Sequence, residues 1–399
     1  MSQVRVIGAG LSGLATAWYL SAGGASVEVI EAAERPGGLL RTHQLREGLV
    51  ESAARGFTSS ERATALFAAA GVEACPTLPE SRRRFIFRDG RPRRWPLSPG
   101  ETIGAAARAA SAWVRRDHRP HAGESVAAYG HRVIGPAATR WLIAPALQGI
   151  YATSPDVLSA AAIFGPSRGP GRGALIAPRG GMAELVDRLH AVLRARGVTF
   201  SFDTPVERLD ASVPTVICTN APVAARLIAP FAPTLSTAIG RIRMVSLVVI
   251  TAFFERRDDD WRGLGVLFPR STGVEALGVL CNTDMFPDRG TLRSETWIYG
   301  DLSPAALPQA DAIVSRMCED RGRVTNRMDA PIAWHVTPQI DSLPVYDAAV
   351  LEAQASLADL PARIALAGNY LGRLGVSKLL DGAWEAARRI TGERQSVAA

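Results

Sequence analysis

Lysine is nearly missing from this chain. Among 399 residues and 45 basic side chains the only lysine is Lys378, so the positive charge is arginine charge. A Schiff-base lysine, a phosphate-loop lysine or a buried lysine base could come from that one position alone. Histidine and cysteine are sparse as well. Six scattered histidines and four distant cysteines (Cys75, Cys218, Cys281, Cys318) offer no metal-like spacing, and free thiols in a reducing compartment are expected. The most apolar run covers residues 245–254, with Arg241 and Arg243 just before it, which is too short to cross a bilayer. The first residues run straight into a strand pattern, so no signal peptide is read and a cytoplasmic protein is expected. Gly 37 and Pro 26 show no repeat, which removes low-complexity architectures.

What is present is a hydrophobic fraction of 47% against 21% charged residues, a globular composition with material for more than one domain. The formal charge of +7 is local. Residues 82–119 hold eleven Arg against Asp89, Glu101 and Asp117, a surplus of +8, and the remainder is close to neutral. An anionic membrane surface, a carboxylate-bearing ligand and nucleic acid would each suit such a segment, as would plain solvation. No nucleic-acid motif accompanies it.

Strand patterns at residues 4–7 and 27–30 flank a helical pattern that opens at Gly13. Residues 61–70 read as a helix, and 84–87 followed by Asp89-Gly90 as a strand and hairpin turn. Residues 101–164 are alanine-rich and helical, with breaks expected near Pro136, Pro145 and Pro155. A Gly/Pro loop at 165–173 reads as a crossing between domains. A helix from Gly180-Gly181 to about Arg196 precedes strands near 198–202 and 215–218. Strand signals recur at 245–254, 265–269, 276–281 and 296–299, pointing to an antiparallel sheet. A buried strand at 363–367 and a helix at 381–390 close the chain.

The turn between the first strand and helix is Gly8-Ala9-Gly10-Leu11-Ser12-Gly13, and Glu31 ends the next strand. Gly8 permits the tight turn, Gly10 lets the backbone approach a pyrophosphate, and Gly13 allows the helix to pack closely on the strand. The phosphates would meet the free N–H groups of Leu11 and Ser12 at the positive end of the helix dipole. Glu31 would accept hydrogen bonds from a ribose. A dinucleotide-binding βαβ unit follows.

A second glycine pair lies just beyond, in Glu31-Ala32-Ala33-Glu34-Arg35-Pro36-Gly37-Gly38. This segment resembles that of the flavin amine oxidase superfamily. Gly368-Asn369-Tyr370 and Gly375-Val376 before the last helix resemble that superfamily's C-terminal flavin motif. The resemblance implies FAD held by Gly8, Gly10, Leu11, Ser12, Gly13, Glu31, Ala32, Arg35, Gly37, Gly38, Gly368, Asn369, Gly375 and Val376.

Between these ends the chain resembles the protoporphyrinogen oxidase family. The resemblance is carried by Glu51-Ser52-Ala53-Ala54-Arg55-Gly56 (Ala53 and Ala54 standing for Gly-Pro), Arg84-Phe85, Gly149-Ile150-Tyr151, Thr204-Pro205-Val206, Gly265-Val266-Leu267, Gly278-Val279-Leu280, and Trp334 with Pro338-Gln339. It implies an α/β fold in which a Rossmann-like FAD domain (1–75, 174–225 and 335–399) carries a mixed or antiparallel substrate sheet (76–95 and 226–334). A helical, membrane-facing insertion (96–173) completes it.

By the same resemblance Val206 and Trp334 join the FAD set, and Arg84 takes a substrate carboxylate. Phe85, Leu267, Leu280 and Ile298 pack on a macrocycle, and Gly149 offers its backbone at the reacting ring. The implied reaction is oxidation of a tetrapyrrole by hydride transfer to flavin N5, with molecular oxygen as acceptor, at an anionic membrane surface and with room for a homodimer. The alternatives are an amine oxidase or another desaturase of the superfamily, or a non-catalytic flavin-binding module. Flavin amine oxidases commonly hold a mid-chain lysine at flavin N5, and its absence ranks amine oxidation lower.

Overall fold

The computed structural model describes residues 3–165, 173–210, 212–302 and 308–392. Most of the Gly/Pro crossing expected at 165–173 lies outside the described residues. Five parallel strands form one sheet in the order Thr199–Ser201, Ser26–Ile30, Gln3–Ile7, Thr215–Ile217, Ile364–Leu366. The central strands carry mostly β-branched residues buried on both faces, as a sheet covered by helices on each side requires. Val4, Val6, Val27 and Val29 meet helices Leu11–Ala22, Met182–Ala195 and Val376–Thr391 on one face. Ile7, Ile217 and Ile364 meet Ala221–Ile228, Pro233–Gly240 and Ala348–Ala355 on the other.

A second, seven-stranded sheet runs Ala333–Pro344, Met244–Phe254, Arg293–Leu302, Gly278–Cys281, Gly265–Leu267, Arg84–Arg88, Arg91–Arg93. It is antiparallel except where Gly265–Leu267 pairs with Arg84–Arg88. Strand alternation gives it two distinct faces. The rear face carries Val266, Val279, Trp297 and Ile250 against helix Ala310–Thr325. Behind it the buried Glu295 accepts from Arg293 Nε (2.5 Å), Arg321 Nε (3.2 Å) and Trp297 Nε1 (3.1 Å). The front face looks toward the parallel-sheet domain and the helical insertion.

The insertion contains Pro99–Val114, Val126–Val133, Ala144–Tyr151 and Ala160–Phe164. The break expected at Pro145 does not occur. Pro145 sits at the start of Ala144–Tyr151, and the preceding turn Thr139–Ile143 widens to π geometry, which accommodates a ring that cannot donate backward.

Two expected domain boundaries also move. Residues 226–243 pack as helices on the parallel sheet, so the substrate sheet resumes only at Met244. At the other end, Ala333–Pro344 is a strand of the substrate sheet, which places the return to the FAD domain after Pro344 rather than at 335.

Candidate active site

Gly8 has φ 98°, and a Cβ at Gly13 would lie 1.8 Å from the Gly8 carbonyl oxygen, so strand and helix meet without room for a side chain. Gly10 differs, because a Cβ there would meet no atom of the chain within 4 Å. Nothing in the protein demands glycine at that point, and the space above it is what a closely approaching ligand would use. Gly10 begins helix Leu11–Ala22 with no side-chain cap, leaving its first N–H groups free for an anion. The second glycine pair is folded onto the same turn. Gly37 N–H donates to the Ala9 carbonyl at 2.8 Å, and Gly38 lies against the Gly10 Cα.

Glu31 accepts from Ala9 N–H (2.5 Å) and Ala33 N–H (2.9 Å), which fixes its carboxylate beside the glycine turn. Thr204 N–H donates to the Glu31 carbonyl at 2.9 Å and Asp203 N–H to that of Ala33, so the loop bearing Val206 borders the same place. Ala32 is exposed there. Arg35 donates to the Pro36 carbonyl and leaves Nη2 without a partner among the described residues, its basicity lowered by burial and by Arg41.

The C-terminal motif follows the carboxyl end of Ile364–Leu366, a strand of the same parallel sheet. Gly375 opens Val376–Thr391 without a side-chain cap, a second free helix N-terminus. Asn369 is held in place, its amide donating to the Ser342 carbonyl (3.0 Å) and its carbonyl accepting from Tyr346 Oη (2.6 Å). Gly375 and Val376 share a cavity of ≈ 1200 Å³ with Ala54, Gly56, Tyr151 and Tyr346. These cradles suit a dinucleotide with two phosphates and a flat ring system.

On the front face of the seven-stranded sheet, backbone register aligns Arg84, Gly265, Leu280, Thr296, Thr251 and His335 in one row. The neighbouring row on that face is Ile86, Leu267, Gly278, Ile298, Val249 and Thr337. Arg84, Leu267, Leu280 and Ile298 therefore share one surface. Gly149 joins them from the insertion, since a Cβ there would fall 2.6 Å from Leu267 Cδ2. Arg84 is exposed and forms no ion pair among the described residues.

Two expected residues do not reach this surface. Phe85 lies on the rear face, where it meets the Trp261 ring edge-on at 5.7 Å and packs on the buried core. Trp334 is paired with Ala252, also on the rear face, and is 40% exposed. A motif read as a string does not say which of two successive strand residues faces the site.

Its neighbours His335 and Gln339 face forward instead. The His335 and His43 rings meet at 4.3 Å, tilted by 36°, and burial lowers the pKa of both. Gln339 donates to the Ser52 carbonyl. Beside them lies a buried charged cluster, Glu51, Arg55 and Arg289. Two of its members stand in the Glu51–Gly56 stretch, where the motif itself speaks only for the backbone pattern. Burial raises the Glu51 pKa, against hydrogen bonds from Met182 N–H and Thr42 Oγ1 at 2.9 Å each.

A sequence model described as flavin containing amine oxidoreductase matches residues 11–391. The chain is 24% identical to the chloroplastic protoporphyrinogen oxidase of Oryza sativa subsp. japonica, over 97% of this chain and 87% of that protein. In fold it is similar to a protein proposed to be a protoporphyrinogen oxidase from Exiguobacterium sp. 255-15, with TM-score 0.79, 17% identity, and 98% of this chain and 99% of that one covered. It is similar as well to putrescine oxidase, with TM-score 0.78, 15% identity, and 98% and 100% covered. The chain belongs to the flavin-containing amine oxidoreductase family, and it is an FAD-dependent oxidoreductase.

Proposed function

We propose that this enzyme oxidises a porphyrinogen, protoporphyrinogen IX or coproporphyrinogen III, to the porphyrin in tetrapyrrole biosynthesis, with oxygen as final acceptor. The observation that carries it is the front face itself: Arg84 beside the apolar Leu267, Leu280 and Ile298, with Gly149 pressed onto Leu267. Bound FAD supplies the hydride acceptor. The glycine turns at Gly8–Gly13 and Gly37-Gly38, the Glu31 carboxylate, the Val206 loop and the helix start at Gly375-Val376 would hold it. Arg84 offers a planar fork to a propionate, and the leucines and Ile298 orient an apolar ring plane. The chain's one lysine, Lys378, sits on the last helix 3.8 Å from Asp381, in the wall of the cavity that Gly375 and Val376 line.

Aerobic turnover of either porphyrinogen to a fluorescent porphyrin tests the reading. Activity on an amine with no porphyrin formed would replace it by the amine oxidase alternative. In the Arg84→Ala variant KM should rise about tenfold, ~1.4 kcal/mol of binding, with kcat changing less. Unchanged kinetics would remove Arg84 from the site.

We propose further that the enzyme works against an anionic membrane. Its helix Pro99–Val114 buries only Ala112 and turns Ile103 (70% exposed) and Val114 (75%) outward, with Trp113 (70%) and Trp95 (56%) beside them. Trp95 Nε1 donates to Thr102 Oγ1 at 2.9 Å, which ties the segment after strand Arg91–Arg93 to this patch. Among the described residues only Arg88 and Arg93 of the eleven arginines in 82–119 form ion pairs.

A further inference from the structure

Arg55 forms no direct ion pair among the described residues. Its Nε donates to Asn282 Oδ1 (3.3 Å) and its Nη1 to the Ala53 carbonyl (2.9 Å), which aims the guanidinium from the FAD-side loop onto the substrate sheet. Nη2 is buried and has no partner among the described residues. Burial pulls the Arg55 guanidinium down to about 10, with Glu51 opposing and Arg289 adding to that effect. Among the described residues Glu51 is the carboxylate whose charge acts on Arg55, and it already serves Met182 N–H, Thr42 Oγ1 and the Arg289 guanidinium at 3.8 Å. Arg289 has Asp288 and Glu184 near it as well as Glu51; Arg55, half-buried with its Nη2 shut off from solvent, forms no ion pair among the described residues. Burial of an unpaired charge is costly, and a ligand that brings an anion relieves it.

The place of this charge is informative. Asn282 also donates to Ser294 Oγ (2.8 Å) and Thr296 Oγ1 (2.9 Å), so Arg55 stands over the Leu280–Thr296 part of the front row. Arg84 is at the other end of that row, two to three strands away, or about 10–14 Å at the usual strand spacing. Ala54 and Gly56, on either side of Arg55, wall the large cavity.

We propose that Arg55 is a second carboxylate-binding residue of the cleft and that, with Arg84, it selects a tetrapyrrole carrying carboxylates on opposite edges. This rests on the porphyrinogen reading above. It favours coproporphyrinogen III, with a propionate on every ring, over protoporphyrinogen IX, whose two propionates lie together on one edge.

The test measures binding of coproporphyrin III and protoporphyrin IX to the FAD-loaded enzyme and to its Arg55→Gln, Arg55→Lys and Arg84→Ala variants, by flavin absorbance. The unmodified enzyme should prefer coproporphyrin III about tenfold. Arg55→Gln should abolish that preference while leaving the flavin midpoint potential unchanged. Arg55→Lys should keep part of it, and Arg84→Ala should weaken both ligands. An unchanged preference in Arg55→Gln, or a preference for protoporphyrin IX in the unmodified enzyme, overturns the proposal. A shifted potential without loss of preference overturns it too, and assigns Arg55 to the flavin. Benzoate against benzamide separates the two readings. If neither porphyrin binds, the porphyrinogen reading fails. Arg55 then stands as an anion site only if benzoate is held more tightly than benzamide and Arg55→Gln removes the difference.

Discussion

Gly10 and Gly13 lie three residues apart and answer to different neighbours. At Gly13 the obstacle is the chain itself, since a Cβ added there would stand 1.8 Å from the Gly8 carbonyl oxygen and 2.9 Å from its carbon. At Gly10 the chain leaves open space, and its backbone (φ −65°, ψ 178°) is one that alanine adopts freely. Gly13→Ala should therefore lower the stability of the flavin-free protein by about 1–3 kcal/mol through overpacking. Gly10→Ala should cost the flavin-free protein at most about 1 kcal/mol, as a weaker helix cap. Both should lose FAD. Thermal unfolding of flavin-free protein, set beside the flavin absorbance retained on purification, checks the pair. A Gly10→Ala protein that keeps its FAD would remove the pyrophosphate from that position. At this scale the glycine turns were legible because their spacing is dictated by backbone geometry. Arg55 and Glu51 were not, because a guanidinium shut away without an ion pair exists only once distant segments have been brought together.

The elements that hold the site show where sequence patterns reach their limit. The short parallel strands are readable as β-branched runs. Edge strand Ala333–Pro344 is not, since Pro338 and Pro344 and its polar residues argue against a strand. Proline is tolerated there because the strand has a neighbour on one side only, and only its pairing with Met244–Phe254 reveals that His335 and Gln339 face forward while Trp334 does not. Helix Pro99–Val114 is the opposite case, with a start that could be read and an anchor that could not. Ser98 and Glu101 form a capping box, and Glu101 also takes a two-pronged ion pair from Arg88 at 2.7 and 3.0 Å. Arg88 lies in turn over the Trp141 ring at 4.5 Å. The Arg88 pair and the Ser98 N–H hold the Glu101 carboxyl down to about 2. A depressed carboxyl pKa stabilises the fold above the unfolded value and loses that stabilisation as pH falls toward the folded one. Glu101→Gln keeps the cap but not the charge. Its unfolding free energy should fall about 1–2 kcal/mol below that of the unmodified protein at pH 7, allowing for the pair's partial exposure. That gap should close between about pH 4.5 and pH 2. Urea unfolding across this range checks it, and a gap independent of pH would show that the ion pair contributes nothing.

Across the whole molecule, one strand joins the candidate substrate surface to the candidate membrane surface. Arg84 and Arg88 lie on the same face of Arg84–Arg88, the first in the front row of the sheet and the second locked to the exposed helix through Glu101. A substrate reaching the enzyme at a bilayer surface would meet the front row directly beside the docking patch. The patch combines both forces that such docking uses. Trp95, Ile103, Trp113 and Val114 supply apolar area, and the exposed Arg91, Arg94, Arg108, Arg115, Arg116 and Arg119 supply charge. Each arginine near an anionic surface contributes about 1 kcal/mol, an attraction confined to roughly 10 Å at 0.1 M salt and roughly 3 Å at 1 M. Among the described residues no helix is long and apolar enough to cross a membrane, so this contact would be interfacial. The protein should co-sediment with phosphatidylcholine vesicles that contain phosphatidylglycerol, and binding should collapse at high salt. Replacing Arg115 and Arg116 by Gln should weaken it about tenfold or more, as the loss of two surface charges requires. An Ile103→Ser, Trp113→Ser variant should bind more weakly at low salt while keeping the same slope against salt, because it removes insertion and leaves the charge. Equal sedimentation with pure phosphatidylcholine, or full binding by both variants, would return these arginines to the role of a solvated surface. The +8 segment would then be left with Arg84 at the candidate site and Arg88 on Glu101.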